Sequence, residues 1–395
     1  MKRFTSLLAG AAAAAAMCVG AVLPAAAQAD TIEIGVIAPM TGRNAVQGKD
    51  IVQGIKLAVE RVNNGYDVPM MDGSTVTVGP DDMGGKIKLI VEDTESRPAS
   101  ALAAVRKLVN ADKVPVVLGV LSSGICVPTG NFTNENKVVQ IAAACTSPKL
   151  RDYGPYFFDV MGLDNLMGQA LGEFAYDDTG GAKKYASFVA NNPFGVGMEI
   201  QGCKKIEELG GECVTKVRYR QGKSDYRADL RRVMDKDPDA IMYTAYGTDA
   251  RLILKQAYEL GIDVSKNWYA DYPTLWINEI SETPQIGEGI KGTRAGVYDD
   301  FYNDVYAEAY EKAFGETPST AFGGYAYDSA MLIALAIKKA GASTSDAIKD
   351  ALRPVSVDYR GVSGNKKFDE DGMQVNERYA RLIVKDGKLE PYEDD

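Results

Sequence analysis

The residues of this chain that could do chemistry are hydroxyls, amides and aromatic rings placed just after short apolar runs. They are Ser122-Ser123-Gly124, Thr146-Ser147, Asn192-Pro193-Phe194, Tyr246-Gly247-Thr248 and Asp271-Tyr272. Ser123 and Thr146 stand at or just before the predicted starts of helices. A hydroxyl beside free helix N–H groups suits a carboxylate. Taken singly, such a Ser or Thr is an N-cap, and Phe194 and Tyr246 are packing rings. Together they fall on one edge of two successive sheets, where open α/β folds bind ligands. The chemistry they offer is capture of a small anion, with no bond made or broken.

What is absent narrows the reading further. The 395 residues include no histidine, which excludes Ser-His-Asp and Cys-His catalysis and any His-ligated zinc or haem iron. No GxGxxG follows the first strand, and there is no Walker A lysine, GxSxG elbow or HExxH. Thr146-Ser147-Pro148-Lys149 matches SxxK only formally, since proline interrupts it and no partner motif accompanies it. No cofactor and no metal site are expected. The Asp369-Glu370-Asp371-Gly372 run is not an EF-hand, because a frame set on Gly372 puts Lys367 first and Arg378 twelfth. It reads as a hairpin turn after Phe368.

Composition is that of a globular protein, 46% hydrophobic and 25% charged, and long enough for two cored domains. There are 44 basic and 54 acidic residues, a net charge of −10. Without residues 1–29, which carry Lys2 and Arg3, the balance is 42 against 54, or −12. Such an acidic chain is not expected to bind nucleic acid or an anionic membrane. Residues 1–29 read as a secretory signal peptide. Lys2-Arg3 is followed by an apolar stretch from Leu7 to Leu23 and by Ala27-Gln28-Ala29 before Asp30. Met17 before Cys18 argues against lipoprotein cleavage there. A periplasmic location is expected.

Four cysteines remain after residue 29: Cys126, Cys145, Cys203 and Cys213. Their spacing fits neither a CxxC redox pair nor zinc, and in an oxidising compartment they suggest two disulfides among three possible pairings. Cys126–Cys145 and Cys203–Cys213 are favoured because each would join a helix to an adjacent strand. Buried free thiols are the alternative.

The elements that would position these residues alternate. Apolar strands are predicted at Thr31–Pro39, Lys86–Glu92, Val114–Leu121 and Val138–Ala144, with helices between them. The pattern restarts with strands at Tyr185–Ala190, Glu212–Tyr219, Ala240–Tyr246 and Trp268–Asp271, separated by helices at Met198–Leu209, Asp225–Met234 and Thr248–Leu260. Continuous apolar strands alternating with helices mean parallel sheets covered on both faces. Lys291–Val297 reads as a strand returning to the first unit, followed by helices at Glu308–Phe314 and Ser329–Ala340.

In their order and spacing, IEIGVIAPMTG, QGKDIVQGIKLAVERVN, VEDTESRPASALAAVRKLV, VVLGVLSS, TSPKL, NNPFGVGM and GGYAYDSAMLIALAIKKAG resemble the leucine/isoleucine/valine-binding family. These are type I periplasmic solute-binding proteins of ABC importers. The resemblance implies a clamshell of two doubly wound parallel-sheet lobes joined by three crossovers. It places 30–163 plus 293–373 in lobe 1 and 164–292 plus 374–395 in lobe 2. It implies that Ser123 and Thr146, with the backbone of Ala144 and Cys145, hold the ligand carboxylate. Phe194 and Tyr246 would cover the ligand from the other lobe, and Asp271 would take its ammonium. Gln47 replaces a frequent aromatic, and Trp276 or Tyr272 would reshape the pocket. The implied function is capture of a small carboxylate-bearing solute, an amino acid, by a monomer that delivers it to an inner-membrane permease. A ligand-sensing regulatory receptor of the same fold is the alternative, and an exported hydrolase a remoter one.

Overall fold

The computed structural model describes residues 30–271, 283–295, 300–375 and 379–392. Residues 1–29, Tyr272 and Trp276 lie outside them.

The first body alternates strand and helix: β1 (Asp30–Ala38), α1 (Ala45–Asn63), the hairpin β2 (Tyr66–Pro69) and β3 (Thr75–Val78), a short turn α2 (Pro80–Met83), then β4 (Gly85–Asp93). It continues with α3 (Pro98–Asn110), β5 (Val116–Leu118), α4 (Ser123–Glu135), β6 (Val139–Ala142) and β7 (Phe157–Asp159). These strands make a five-stranded parallel sheet in the order β4-β1-β5-β6-β7. Ile34, Val36, Val116, Leu118 and Ile141 are all buried, as strands covered on both faces require.

The second body holds α5 (Asp164–Asp178), β8 (Lys184–Ala190), α6 (Pro193–Leu209), β9 (Glu212–Tyr219), α7 (Arg227–Met234), β10 (Ala240–Thr244), α8 (Gly247–Glu259) and β11 (Trp268–Asp271). Next comes β12 (Lys291–Ala295). It runs parallel to β11, Asp271 facing Thr293, so this strand belongs to the second sheet and not to the first as its sequence suggested. The tail adds α9 (Glu308–Phe314), α10 (Phe322–Ala340), α11 (Ser345–Asp358), β13 (Tyr379–Lys385) and β14 (Lys388–Pro391). The seven-stranded sheet has the order β14-β13-β12-β11-β10-β8-β9, antiparallel only at β13 and β14. The chain passes between the bodies three times: after β7, after β12 and before β13. The fold is therefore two α/β lobes built on parallel sheets.

Each sheet has one switch point, between β1 and β5 in the first and between β8 and β10 in the second. Loops leaving the strands there diverge to opposite faces and open a crevice. Helix α10 is buried from Phe322 to Ile337 and packs on α1 and α11. A Cβ at Gly54 of α1 would meet the Gly323 carbonyl at 2.1 Å, so the two helices touch backbone to backbone only because both residues are glycine. The disulfides pair as favoured, Cys126 with Cys145 (Cα–Cα 6.3 Å) and Cys203 with Cys213 (5.7 Å). Phe368 pairs antiparallel with Gln374, so the acidic run is a hairpin turn, and Arg151 holds Asp369 and Asp371 at 2.7 and 2.9 Å.

The returning tail is pinned to the first lobe by a buried charge network. The Asp328 carboxylate on α10 accepts from the Tyr359 hydroxyl (2.6 Å) and from the Val362 and Ser363 N–H groups (both 2.9 Å). Lys366 Nζ lies 3.4 Å from Asp328 and donates to the carbonyl of Val160, just beyond β7 (3.3 Å). Burial depresses the Lys366 pKa, while Asp328 and Asp159 act the other way. Removing one partner of such a pair strands the other charge in a dry interior. Lys366→Met is expected to cost about 3 kcal/mol or more of unfolding free energy, measured by urea denaturation; an unchanged midpoint would show the network to be dispensable.

Candidate functional site

On the first lobe the site is built by the loops after β5 and β6. Ser122, at φ +82°, turns the chain sharply, and its N–H donates to the Ala144 carbonyl (2.9 Å). That turn places Ser123 as the first residue of α4, almost fully buried. Ser123 Oγ accepts from the N–H groups of Thr146 and Ser147, both at 3.2 Å. With its oxygen occupied by two donors, the hydroxyl keeps its own proton to give, which is what an anion needs. Ala144 is more committed than the sequence suggested: its N–H already donates to Val120 (3.3 Å) and its carbonyl accepts from Ser122. Cys145, between Ala144 and Thr146, is tied by its disulfide to α4.

From the second lobe come the loops after β8 and β10. Asn192 caps α6, accepting from the Gly195 N–H at 2.9 Å. This cap sets the start of the helix and with it Phe194, whose ring lies 5.3 Å from that of Tyr246. Both rings are buried. Burial first, then the charges of Asp164 and Asp271, hold the Tyr246 pKa well above the ordinary phenol range, with Ser122 and Asn192 acting the other way. Gly247 follows at φ +42°, and a Cβ there would lie 2.4 Å from the Arg43 carbonyl of the first lobe. The jaws are in contact.

Two carboxylates complete the crevice. Asp271 ends β11 and is fully buried. Asp164, which sequence reasoning missed, opens α5 and is equally buried. Its N–H donates to the Thr146 carbonyl at 2.6 Å, which fixes it beside the loop after β6. Neither of its side-chain oxygens has a well-formed hydrogen bond. Burial drives its pKa well above the carboxylate range, the Thr146 hydroxyl opposes that, and the charges of Asp271 and Asp159 add to it. A cation placed here would relieve all three acids. Among the described residues no group of His, Cys, Asp and Glu is arranged to hold a metal. The signal for Asp164 was only its place at a helix start soon after the Thr146 loop.

Gln47, in the first turn of α1, is 6% exposed. Surface cavities of about 700 and 620 Å³ lie elsewhere, at the amino-terminal edges of the two sheets beside Val114 and Trp268, away from every residue above.

The geometry has counterparts in known proteins. A leucine-, isoleucine-, valine-, threonine- and alanine-binding protein of Pseudomonas aeruginosa is 26% identical over 362 residues, 91% of each chain. The crystal structure of a leucine-binding protein LivK from Thermotoga maritima superposes with a TM-score of 0.79 at 27% identity, covering 92% of this chain and 98% of that one. The substrate-binding protein LivJ of a branched-chain amino acid transporter from Streptococcus pneumoniae, in complex with isoleucine, gives 0.77 at 26% identity, covering 91% and 98%. The family model described as periplasmic binding protein matches residues 31–388, and with the two-lobed fold and the crevice between the lobes this chain belongs to that family of solute-binding proteins.

Proposed function

We propose that this protein captures an amino acid between its lobes and hands it to an inner-membrane permease of an ABC importer. The observation that carries the reading is the opposed chemistry of one crevice: a free hydroxyl proton at Ser123 on one side and the buried acids Asp164 and Asp271 on the other. A zwitterion satisfies both at once. Ser123 and Thr146 take the carboxylate, the Ala144 backbone being already engaged with Val120 and Ser122. Asp271 and Asp164 take the ammonium, and Phe194 and Tyr246 cover the remainder. Four charge-assisted hydrogen bonds at about 1.5–3 kcal/mol each, less the cost of ordering, support affinity tighter than about 1 μM, which corresponds to roughly −8 kcal/mol.

The lobes in this reading are 30–163 with 296–373 and 164–295 with 374–395; the middle crossing, expected before residue 293, lies after Ala295 because β12 is part of the second sheet. Residues 1–29 direct export to the periplasm, the protein acts as a monomer, and it carries out no catalysis. The relatives with bound or named amino acids support transport over a regulatory receptor.

A thermal-shift screen is expected to show amino acids raising the melting temperature through mass action. If only acids without an amine do so, the roles of Asp164 and Asp271 fall. Ser123→Ala is expected to weaken binding at least about tenfold by calorimetry, and wild-type affinity would remove Ser123 from the site. Gly247→Ala sets a methyl against the Arg43 carbonyl when the jaws meet. It is expected to lower affinity by about tenfold or more and to abolish ligand-induced compaction in small-angle scattering; compaction as in the wild type would show that this contact does not govern closure.

A further inference from the structure

Three buried side chains of the first lobe are left over by that reading. Asn44, Gln47 and Thr94 are 3%, 6% and 1% exposed, and Asn44 Oδ1, Gln47 Oε1 and Thr94 Oγ1 have no hydrogen-bonding partner in the protein. They come from the loops after two neighbouring strands, β1 and β4. These loops are laced together: the Thr94 N–H donates to Ala38 (3.0 Å), the Asn44 N–H to Ser96 Oγ (3.2 Å), and Ser96 Oγ in turn to the Thr41 carbonyl (3.2 Å). Asn44 faces the other lobe. A Cβ on Gly247, next to Tyr246, would lie 2.9 Å from Asn44 Oδ1. Gln47 stands one helical turn on from Asn44, on the same face of α1. Turning either amide over would exchange an unpaired acceptor for an unpaired donor, so the need for a polar partner survives.

Buried polar atoms without partners are rare in native proteins, and each calls for an explanation, a bound ligand or water among them. A branched aliphatic side chain would leave all three unmatched. Arg43, the residue before Asn44, makes no ion pair among the described residues, and its Nε is also buried without a partner. Its guanidinium lies near Gly222 of the second lobe. A cation at this end disfavours a basic side chain in the solute.

Resting on the amino-acid reading above, we infer that Asn44, Gln47 and Thr94 form a polar subsite, and that the solute carries a neutral side chain that both donates and accepts hydrogen bonds, a carboxamide or a hydroxyl. A site built to hydrogen-bond such a group rejects an analogue without it far more strongly than an apolar pocket rejects a missing methylene.

The test is calorimetric titration of the protein with asparagine, glutamine, serine, threonine, leucine, isoleucine, valine, glutamate and lysine. At least one of the first four is expected to bind tenfold or more tightly than every other amino acid in the set. Tightest binding of leucine, isoleucine or valine, or of glutamate or lysine, overturns the polar subsite and leaves the amino-acid reading intact. If none of the nine binds while benzoate does, both readings fall. Gln47→Leu is expected to weaken the polar amino acid at least tenfold and to strengthen leucine, with the melting temperature of the unliganded protein unchanged or raised, because an unmatched buried amide is removed. Unaltered selectivity in that variant overturns the assignment of Gln47.

Discussion

The two hydrogen bonds that Ser123 Oγ accepts from Thr146 and Ser147 are the interaction on which the rest of the crevice depends. They join the loops after β5 and β6, which neighbouring strands alone would leave side by side. They occupy the serine oxygen and leave its own proton to be given. They also fix the Thr146 carbonyl, which accepts from the Asp164 N–H and so brings a carboxylate from the start of the second lobe beside the Ser123 turn. One serine thus sets the relation between a donor and an acid that are 41 positions apart in the chain.

Much of this was legible in the sequence, for identifiable reasons. Strands buried on both faces leave unbroken apolar runs, and those of the two parallel sheets were found within a few residues of their places, except the three-residue β7, which is too short to show a pattern. Ser123, Thr146, Phe194 and Tyr246 stood out because residues after parallel strands converge on one edge. Helix α5 did not stand out. Its Gly168 and Gly172 break the helical pattern, and they are there because α6 passes too close for a side chain: a Cβ at Gly172 would meet the Gly202 carbonyl at 2.5 Å. Asp164 went unseen with its helix. The strand at Lys291 was seen but set in the wrong sheet, since its composition says that it is buried and not which neighbour it will pair with. Asn44 and Thr94 carried no sequence signal at all, for an unpartnered oxygen is a property of packing.

The crevice combines two demands that oppose one another in the empty state. Burial of Asp164 next to Asp271 raises the free energy of the charged form, while shutting the jaws is what removes the water that would stabilise it. A cationic group between them turns the same burial into an advantage, because attraction grows as the surroundings become less polar. The closed arrangement is therefore one that a suitable solute favours and an empty crevice resists.

The bridge between Cys126 and Cys145 acquires significance from its address. It anchors the middle of the loop after β6, between Ala144 and Thr146, to the helix that starts at Ser123. The loop is thus organised before any solute arrives, and its ordering entropy is spent once, during maturation. A chain not yet oxidised would carry the same residues on a slacker tether and grip less firmly.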